Sequence, residues 1–252
     1  MSKKNDKSTR RAAAAEIVRQ QKAAERRRAV MFQAGIGLVL IAIVVTVAVV
    51  VLRERDRRDD VAAGRGPAPT QVDDTGAFVI GSPDAPVLIE LVEDLQCPAC
   101  KAFEAMSGEL IGSYIDDGIA RVAYRGIAFL DRATSTRYSS RALNASACVM
   151  SEGPEVWRAF HEQMFVQQPP EDGGAGLSDA EIAAIAREAG ATSEDLGQCI
   201  EDEVYGGWVK RTTEQVMAGG ISSTPTIVVD GTTLESSDPA TISAAVEKAQ
   251  NS

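Results

Sequence analysis

The chain has 252 residues, 44% of them hydrophobic and 25% charged, with a net charge of -10. That composition describes a folded chain of one or two domains and excludes an intrinsically disordered one. Charge is unevenly placed: residues 1–29 hold ten Lys/Arg against Asp6, Glu16 and Glu25, residues 30–60 are balanced, and residues 61–252 hold the remaining 12 basic and 29 acidic residues. The acidic part excludes nucleic acid as a partner, because phosphates would repel it.

Residues 1–28 read as a basic cytoplasmic tail, a topology signal that also touches anionic lipid. Residues 29–52, Ala29 to Leu52, carry no charge and only Gln33 and Thr46 as clearly polar side chains. At helical rise they span roughly 36 Å, enough for a transmembrane helix. The rival is a cleaved signal peptide, whose apolar region runs only about 7–15 residues before small residues. Here Arg53-Glu54-Arg55-Asp56-Arg57-Arg58-Asp59-Asp60 follows instead. Positive charge before the span predicts a single-pass cell-membrane protein, N-terminus cytoplasmic and the rest extracytoplasmic. Residues 53–77 are expected to be a linker, because Val61 to Gly76 is rich in Ala, Gly, Pro and Asp without apolar periodicity. Residues 78–252 suit one domain with an insertion.

Val87-Leu88-Ile89-Glu90-Leu91-Val92 has the length and apolarity of a central strand. Phe103, Met106, Leu110, Ile111 and Tyr114 then recur at helical spacing until Asp117-Gly118. Ile119 to Arg125 alternates as a second strand. From about 134 to 219 only helical patterns occur, broken at Gly153-Pro154, at Pro169 to Gly176 and at Gly190. Within this stretch Arg137 to Met150 and Ser193 to Met217 read as separate helices. Strands resume at Thr226-Ile227-Val228-Val229 and Thr232 to Leu234, and a last helix opens after Asp238-Pro239.

Between the first strand and its helix stands Cys97-Pro98-Ala99-Cys100. A Cys-x-x-Cys pair in that setting reads as a redox centre. Cys97 is the expected N-cap and Pro98 the first helical residue, where a missing N–H costs nothing. The positive end of the helix dipole favours thiolate over thiol, which makes Cys97 the candidate nucleophile. Cys100, one turn on, is the resolving thiol. Leftover polar residues give less: His161, the only histidine, is expected at the edge of an apolar face made by Trp157, Phe160, Met164 and Phe165. One His and one close Cys pair do not make a zinc spacing, so no metal and no cofactor are expected.

A β-α-β half and a β-β-α half around a helical insert make an α/β sandwich of thioredoxin type. Gly81-Ser82-Pro83-Asp84-Ala85-Pro86-Val87, Asp94-Leu95-Gln96-Cys97-Pro98-Ala99-Cys100, Trp157-Arg158-Ala159-Phe160-His161 and Thr224-Pro225-Thr226-Ile227-Val228 resemble the DsbA-like thiol-disulfide oxidoreductases. The likeness is closest to membrane-anchored forms of high-GC Gram-positive bacteria. It implies a thioredoxin fold with an inserted all-helical subdomain, preceded by one transmembrane helix. It also implies a cis Thr224–Pro225 bond beside the sulfurs, where the Thr224 backbone can pair with an extended substrate.

The implied activity is oxidation of thiols in exported proteins through Cys97 and Cys100, with a vitamin-K-epoxide-reductase-like membrane partner restoring the disulfide. Reductase or isomerase action on the same fold stays open, as does a non-catalytic envelope binding module. The dipeptide Pro98-Ala99 departs from the Pro-His of the family's strongest oxidant, which leaves the potential open. The buried acid that relatives carry six residues before the first Cys is replaced by Leu91. Glu93 shares its parity and is a candidate for proton transfer; the alternative is an exposed strand-end acid, because Glu93 and Asp94 are adjacent and one should be solvated. Lys101 is expected to be a solvated charge. Cys148 and Cys199 match cysteines of anchored relatives, and outside the membrane two leftover cysteines most simply pair as a structural disulfide.

Overall fold

The computed structural model describes residues 3–133, 136–171 and 174–251. Thr134, the expected start of the insertion, lies outside the described residues. The chain forms two units, residues 1–58 and 59–252. The first consists of α1, Lys3–Ala62, whose last turn belongs to the second unit. Within Gly35–Ala62 mean hydropathy reaches 3.1, so α1 is long and apolar enough to cross a membrane. Its side chains from Leu38 through Leu52 are exposed rather than packed. The one hydroxyl there, on Thr46, donates to the Ala42 carbonyl at 2.8 Å, which satisfies it within the helix.

The second unit is built on a five-stranded sheet of order β1-β3-β2-β4-β5. Its strands are β1 (Phe78–Ile80), β2 (Val87–Glu93), β3 (Ala120–Gly126), β4 (Thr226–Val229) and β5 (Thr232–Thr233). β2 is central: it runs parallel to β3, from Val87 opposite Ala120 to Glu93 opposite Gly126, and antiparallel to β4. One face of its apolar run, with Val87, Ile89 and Leu91, is fully inaccessible, and the other is partly covered, Leu88 being half-buried and Val92 buried. Glu90, one residue out of phase, pairs with Arg125 at 3.4 Å.

α2 (Pro98–Asp116) lays Phe103, Ile111 and Ile115 against the core. Each such side chain contributes about 1.5–3 kcal/mol. Met106 is not part of that face: it is 53% exposed, and the buried Ser107 donates to the Ser237 carbonyl at 3.0 Å instead. Gly118 ends the helix at φ 67°, where the following Ile119 N–H closes back on the Tyr114 carbonyl. α8 (Pro239–Gln250) contributes Ile242 and Val246 to the core and is capped by the Asp238 carboxylate.

Between β3 and β4 lie a 3-10 turn (Phe129–Ala133) and helices α3 (Tyr138–Met150), α4 (Pro154–Val166), α5 (Asp179–Glu188), α6 (Leu196–Glu201) and α7 (Gly206–Ala218). The stretch Ser193 to Met217, expected as one helix, is two. Glu203 takes φ 44°, and the Tyr205 N–H leaves the helical ladder to donate to Asn144 Oδ1 at 2.8 Å. A buried side chain of α3 thus decides a break that periodicity alone would have passed over. Cys148 of α3 and Cys199 of α6 are bonded, with S–S 2.05 Å.

The expected linker is partly tied down. Arg211 of α7 donates to the Gly64 carbonyl, and to that of Gly66 at 3.3 Å. A Cβ on Gly207 would lie 1.6 Å from the Arg65 carbonyl oxygen. Backbone approach to a bare helix face does this docking, and it leaves no apolar periodicity in the docked segment to read.

Candidate active site

Cys97 and Cys100 sit at the C-terminal end of the central strand, where β2 turns into α2. Cys97 is the N-cap, at φ -73° and ψ 120°, and Pro98 opens the helix. The turn is held by Asp94, which is fully buried. Its backbone carbonyl accepts from Cys97 N–H at 2.9 Å, its Oδ1 from Gln96 N–H at 2.9 Å and its Oδ2 from Leu130 N–H at 2.9 Å. Burial still pushes the Asp94 carboxyl up to about 6.

A second brace comes from the insert. Gln168 Nε2 donates to the carbonyls of Leu95 at 3.0 Å and Cys97 at 3.1 Å. Lys101, expected to be solvated, caps the end of α4 through Nζ, which donates to the carbonyls of Val166 at 3.1 Å and Gln168 at 3.4 Å. The sequence carries no local sign of Gln168's role, since it lies 71 residues from the carbonyl it serves.

The two thiols are not bonded to each other, and they are unequal. Cys97 retains 8% of its surface and Cys100 none. A hydrogen bond from Cys100 is the largest influence on Cys97. Burial opposes it, and the Thr224 side chain and the backbone N–H groups of Cys100 and Ala99 add to it, leaving the Cys97 thiol lowered to about 5. The same hydrogen bond, followed by burial and the nearby Glu93 charge, drives the Cys100 thiol far upward. The pair is therefore polarised into one thiolate and one thiol at neutral pH.

Thr224–Pro225 is a cis peptide, and as a thiol Cys97 reaches the Thr224 carbonyl at 3.5 Å. Thr224 and Pro225 are part-exposed beside the sulfur. The structure thus gathers Cys97, Pro98, Ala99, Cys100, Thr224 and Pro225 at one place. The Cys148–Cys199 bond belongs to the α3–α6 contact within the insert.

Glu93 and Asp94 are both buried, at 4% and 0%, so the expectation that one of them is solvated fails. Hydrogen bonding rescues Asp94, whereas Glu93 turns toward Glu104 of α2 and His161 of α4, with His161 Nε2 3.2 Å from Glu93 Oε2. Burial first, then for Glu104 the Glu93 charge, raises both carboxyls above the usual range. His161 is not at a helix edge. It is buried and stacks on Trp157 at 4.9 Å, with Tyr124 and Phe165 edge-on at 5.1 Å, and burial lowers its imidazole below its ordinary range. Helical spacing from Cys100 to Glu104 was the available signal that Glu104 faces the site.

A family model described as Thioredoxin matches residues 73–248. The serine/threonine-protein kinase PknE of Mycobacterium tuberculosis is 34% identical over 120 residues, which make up 46% of this chain and 21% of the kinase. The chain thus spans about a fifth of that relative's length. Disulfide bond formation protein D of Bacillus subtilis is 26% identical over 157 residues, 62% of this chain and 68% of that protein. Among solved structures, the reduced disulfide bond oxidoreductase DsbG of Mycobacterium tuberculosis is similar with TM-score 0.63 and 30% identity, covering 70% of this chain and 88% of that chain. Reduced DsbA of the same organism gives TM-score 0.62 and 31% identity, covering 70% and 93%.

Proposed function

The chain belongs to the thioredoxin-fold family of DsbA-like thiol-disulfide oxidoreductases, and on that premise we propose that it acts as a thiol oxidase for exported proteins. The observation that carries this reading is the lowered Cys97 thiol beside a fully buried Cys100. Stabilising the reduced pair as a thiolate makes its disulfide the more oxidising partner in exchange.

Chemistry follows from that asymmetry. A substrate thiolate attacks Cys97 Sγ, forming a mixed disulfide and breaking the Cys97–Cys100 bond; Cys100 leaves and takes up a proton, as its raised thiol demands. A second substrate thiolate then attacks the substrate sulfur and expels Cys97 as thiolate, a good leaving group because its pKa is low. The substrate loses two electrons and its thiol protons, and the pair gains the two electrons. Thr224, beside Cys97, is the place for an extended substrate backbone to pair. Glu93 is the candidate to receive or return the Cys100 proton.

Residues 29–52 would anchor the enzyme with residues 1–28 in the cytoplasm and 78–252 outside the cell membrane, 53–77 joining them. Reoxidation then falls to a quinone-linked membrane oxidase, of the vitamin-K-epoxide-reductase-like class. Cys148–Cys199 would serve as a structural bond.

The test is the reduction potential of Cys97–Cys100 in the full chain in detergent, equilibrated against glutathione, with Cys148 and Cys199 followed by alkylation mapping. A potential well above the glutathione couple is expected. A value near thioredoxin's, roughly -270 mV, overturns the oxidase direction in favour of a reductase.

A further inference from the structure

Three elements of the fold meet beneath the Cys pair: Glu93 closes β2, Glu104 stands on α2 and His161 on α4. One donor atom from each lies within 4.8 Å of the others. A four-coordinate Zn2+ with bonds of about 2.0–2.1 Å sets neighbouring donors roughly 3.3 Å apart. The His161 Nε2–Glu93 Oε2 separation, 3.2 Å, already has that length. Any wider edge of the triangle needs to close by about 1.5 Å at most to reach the same geometry.

A further observation points to a ligand. Glu93 is 4% exposed, and its second oxygen, Oε1, is buried without a hydrogen-bond partner. Unless Glu104 carries a proton toward it, that oxygen has lost water and gained nothing, a cost of about 1–3 kcal/mol or more for a charged group. A Cβ on Gly108 would lie 2.6 Å from Glu104 Oε2, the movable end of that side chain. A glycine inside α2 costs about 1 kcal/mol relative to alanine, and here it leaves the room into which the Glu104 carboxylate folds.

The surroundings suit a bound ion. His161 is held by Trp157, Tyr124 and Phe165, so its ring is fixed before anything binds. A cavity of about 20 Å3 lies against Glu93 and His161, room for one water as a further ligand. Arg125, the cation lining that cavity, pairs with Glu90 at 3.4 Å, and Arg158 of α4 is committed to Asp116 at 2.6 Å. Two carboxylate oxygens and one imidazole nitrogen favour Zn2+ and similar ions over Mg2+, which prefers six oxygens.

We propose that Glu93, Glu104 and His161 form a largely buried binding site for a divalent transition-metal cation of the Zn2+ class, separate from the exchanging thiols; while the ion is bound, Glu93 is not free to take the Cys100 proton. Spacing along the sequence gave no hint of it, because its three donors come from one strand and two helices.

The test uses the full chain in detergent, purified without a polyhistidine tag and with Cys97–Cys100 oxidised, so that no thiol can bind the metal. His161 is the only histidine, so an imidazole 15N correlation spectrum reports on this site alone. ZnCl2 is expected to shift the His161 signals to saturation at one equivalent. Glu104→Gln should weaken that binding by at least about tenfold, the smaller loss seen even for outer-shell changes, while Glu109→Gln, a change at an exposed acid of α2, leaves it intact. His161 signals unmoved by a large excess of ZnCl2 would overturn the site and leave a proton between the two carboxyls. Equal affinity in Glu104→Gln would overturn it too; metal-free spectra of each variant report whether it is folded.

Discussion

Replacing Cys100 with alanine isolates the force that makes Cys97 a thiolate. The largest single influence on Cys97 is the Cys100 hydrogen bond, ahead of Thr224 and the backbone N–H groups at the start of α2. A hydrogen bond to a charged acceptor is worth about 1.5–3 kcal/mol, equivalent to about one to two pH units. The helix dipole, by comparison, supplies about 0.3–1 kcal/mol. Cys100→Ala should therefore move the Cys97 ionisation from about 5 up by about one to two pH units, and Cys100→Ser, which keeps a donor, should move it less. Ultraviolet absorbance of the thiolate measures this directly. Cys148 and Cys199 are bonded and do not titrate, so the signal belongs to Cys97. An unmoved midpoint in Cys100→Ala would refute the hydrogen-bond account and assign the lowered thiol to the helix terminus.

The remaining predictions concern pH, the disulfide, the loop brace and the docked linker. Because the Cys97 thiol is lowered from 9.0 to about 5, its contribution to the reduced protein is complete above about pH 9 and lost as pH falls through about 5. At pH 7 the gross figure is on the order of 3 kcal/mol, discounted for solvent screening to about 1–2 kcal/mol, or about 20–40 mV in potential. Urea unfolding of reduced and oxidised protein should show the reduced form's advantage vanish toward pH 4; an advantage that persists there contradicts the assignment. Replacing both Cys148 and Cys199 with alanine removes a bond closing a separation of 51 residues and should cost about 4 kcal/mol in denaturant unfolding. Gln168→Ala strips the donor from the Leu95 carbonyl, and a loss of about 1–3 kcal/mol in thermal unfolding is expected. Gly207→Ala drives a Cβ into the Arg65 carbonyl, so trypsin should cut at Arg65 faster than in the unaltered chain; equal rates would mean the segment is not held there.

Much of the fold is legible in the sequence because local chemistry dictates it. The run Val87 to Val92 is apolar at every position but Glu90, and only a strand covered at least in part on both faces tolerates that. Asp238-Pro239 and Asp117-Gly118 mark helix ends by capping and left-handed turn chemistry. Cys97-Pro98-Ala99-Cys100 announces itself because a proline at the first helical position and two thiols one turn apart have few other uses.

Where reading along the chain failed, distant groups decided the outcome. Asn144 captures the Tyr205 N–H and splits one helical pattern into α6 and α7. Gln168 and Lys101 become part of the frame around the Cys pair only because the end of α4 is folded against the start of α2. Met106 falls on the helical stripe yet faces solvent, since where a helix meets its sheet depends on the neighbours it packs against.

By itself the sequence determined the apolar length of α1, the central strand, the Cys97–Cys100 spacing and its place at a helix start, since each rests on covalent pattern and nearest-neighbour chemistry. Only the tertiary structure decided that Glu93 and Asp94 are both buried, that His161 leaves the helix edge for an aromatic cage, and that Glu93, Glu104 and His161 meet. Those facts depend on whether water is excluded from a given side chain, and exclusion is a property of all the elements packed around it rather than of any one stretch of chain.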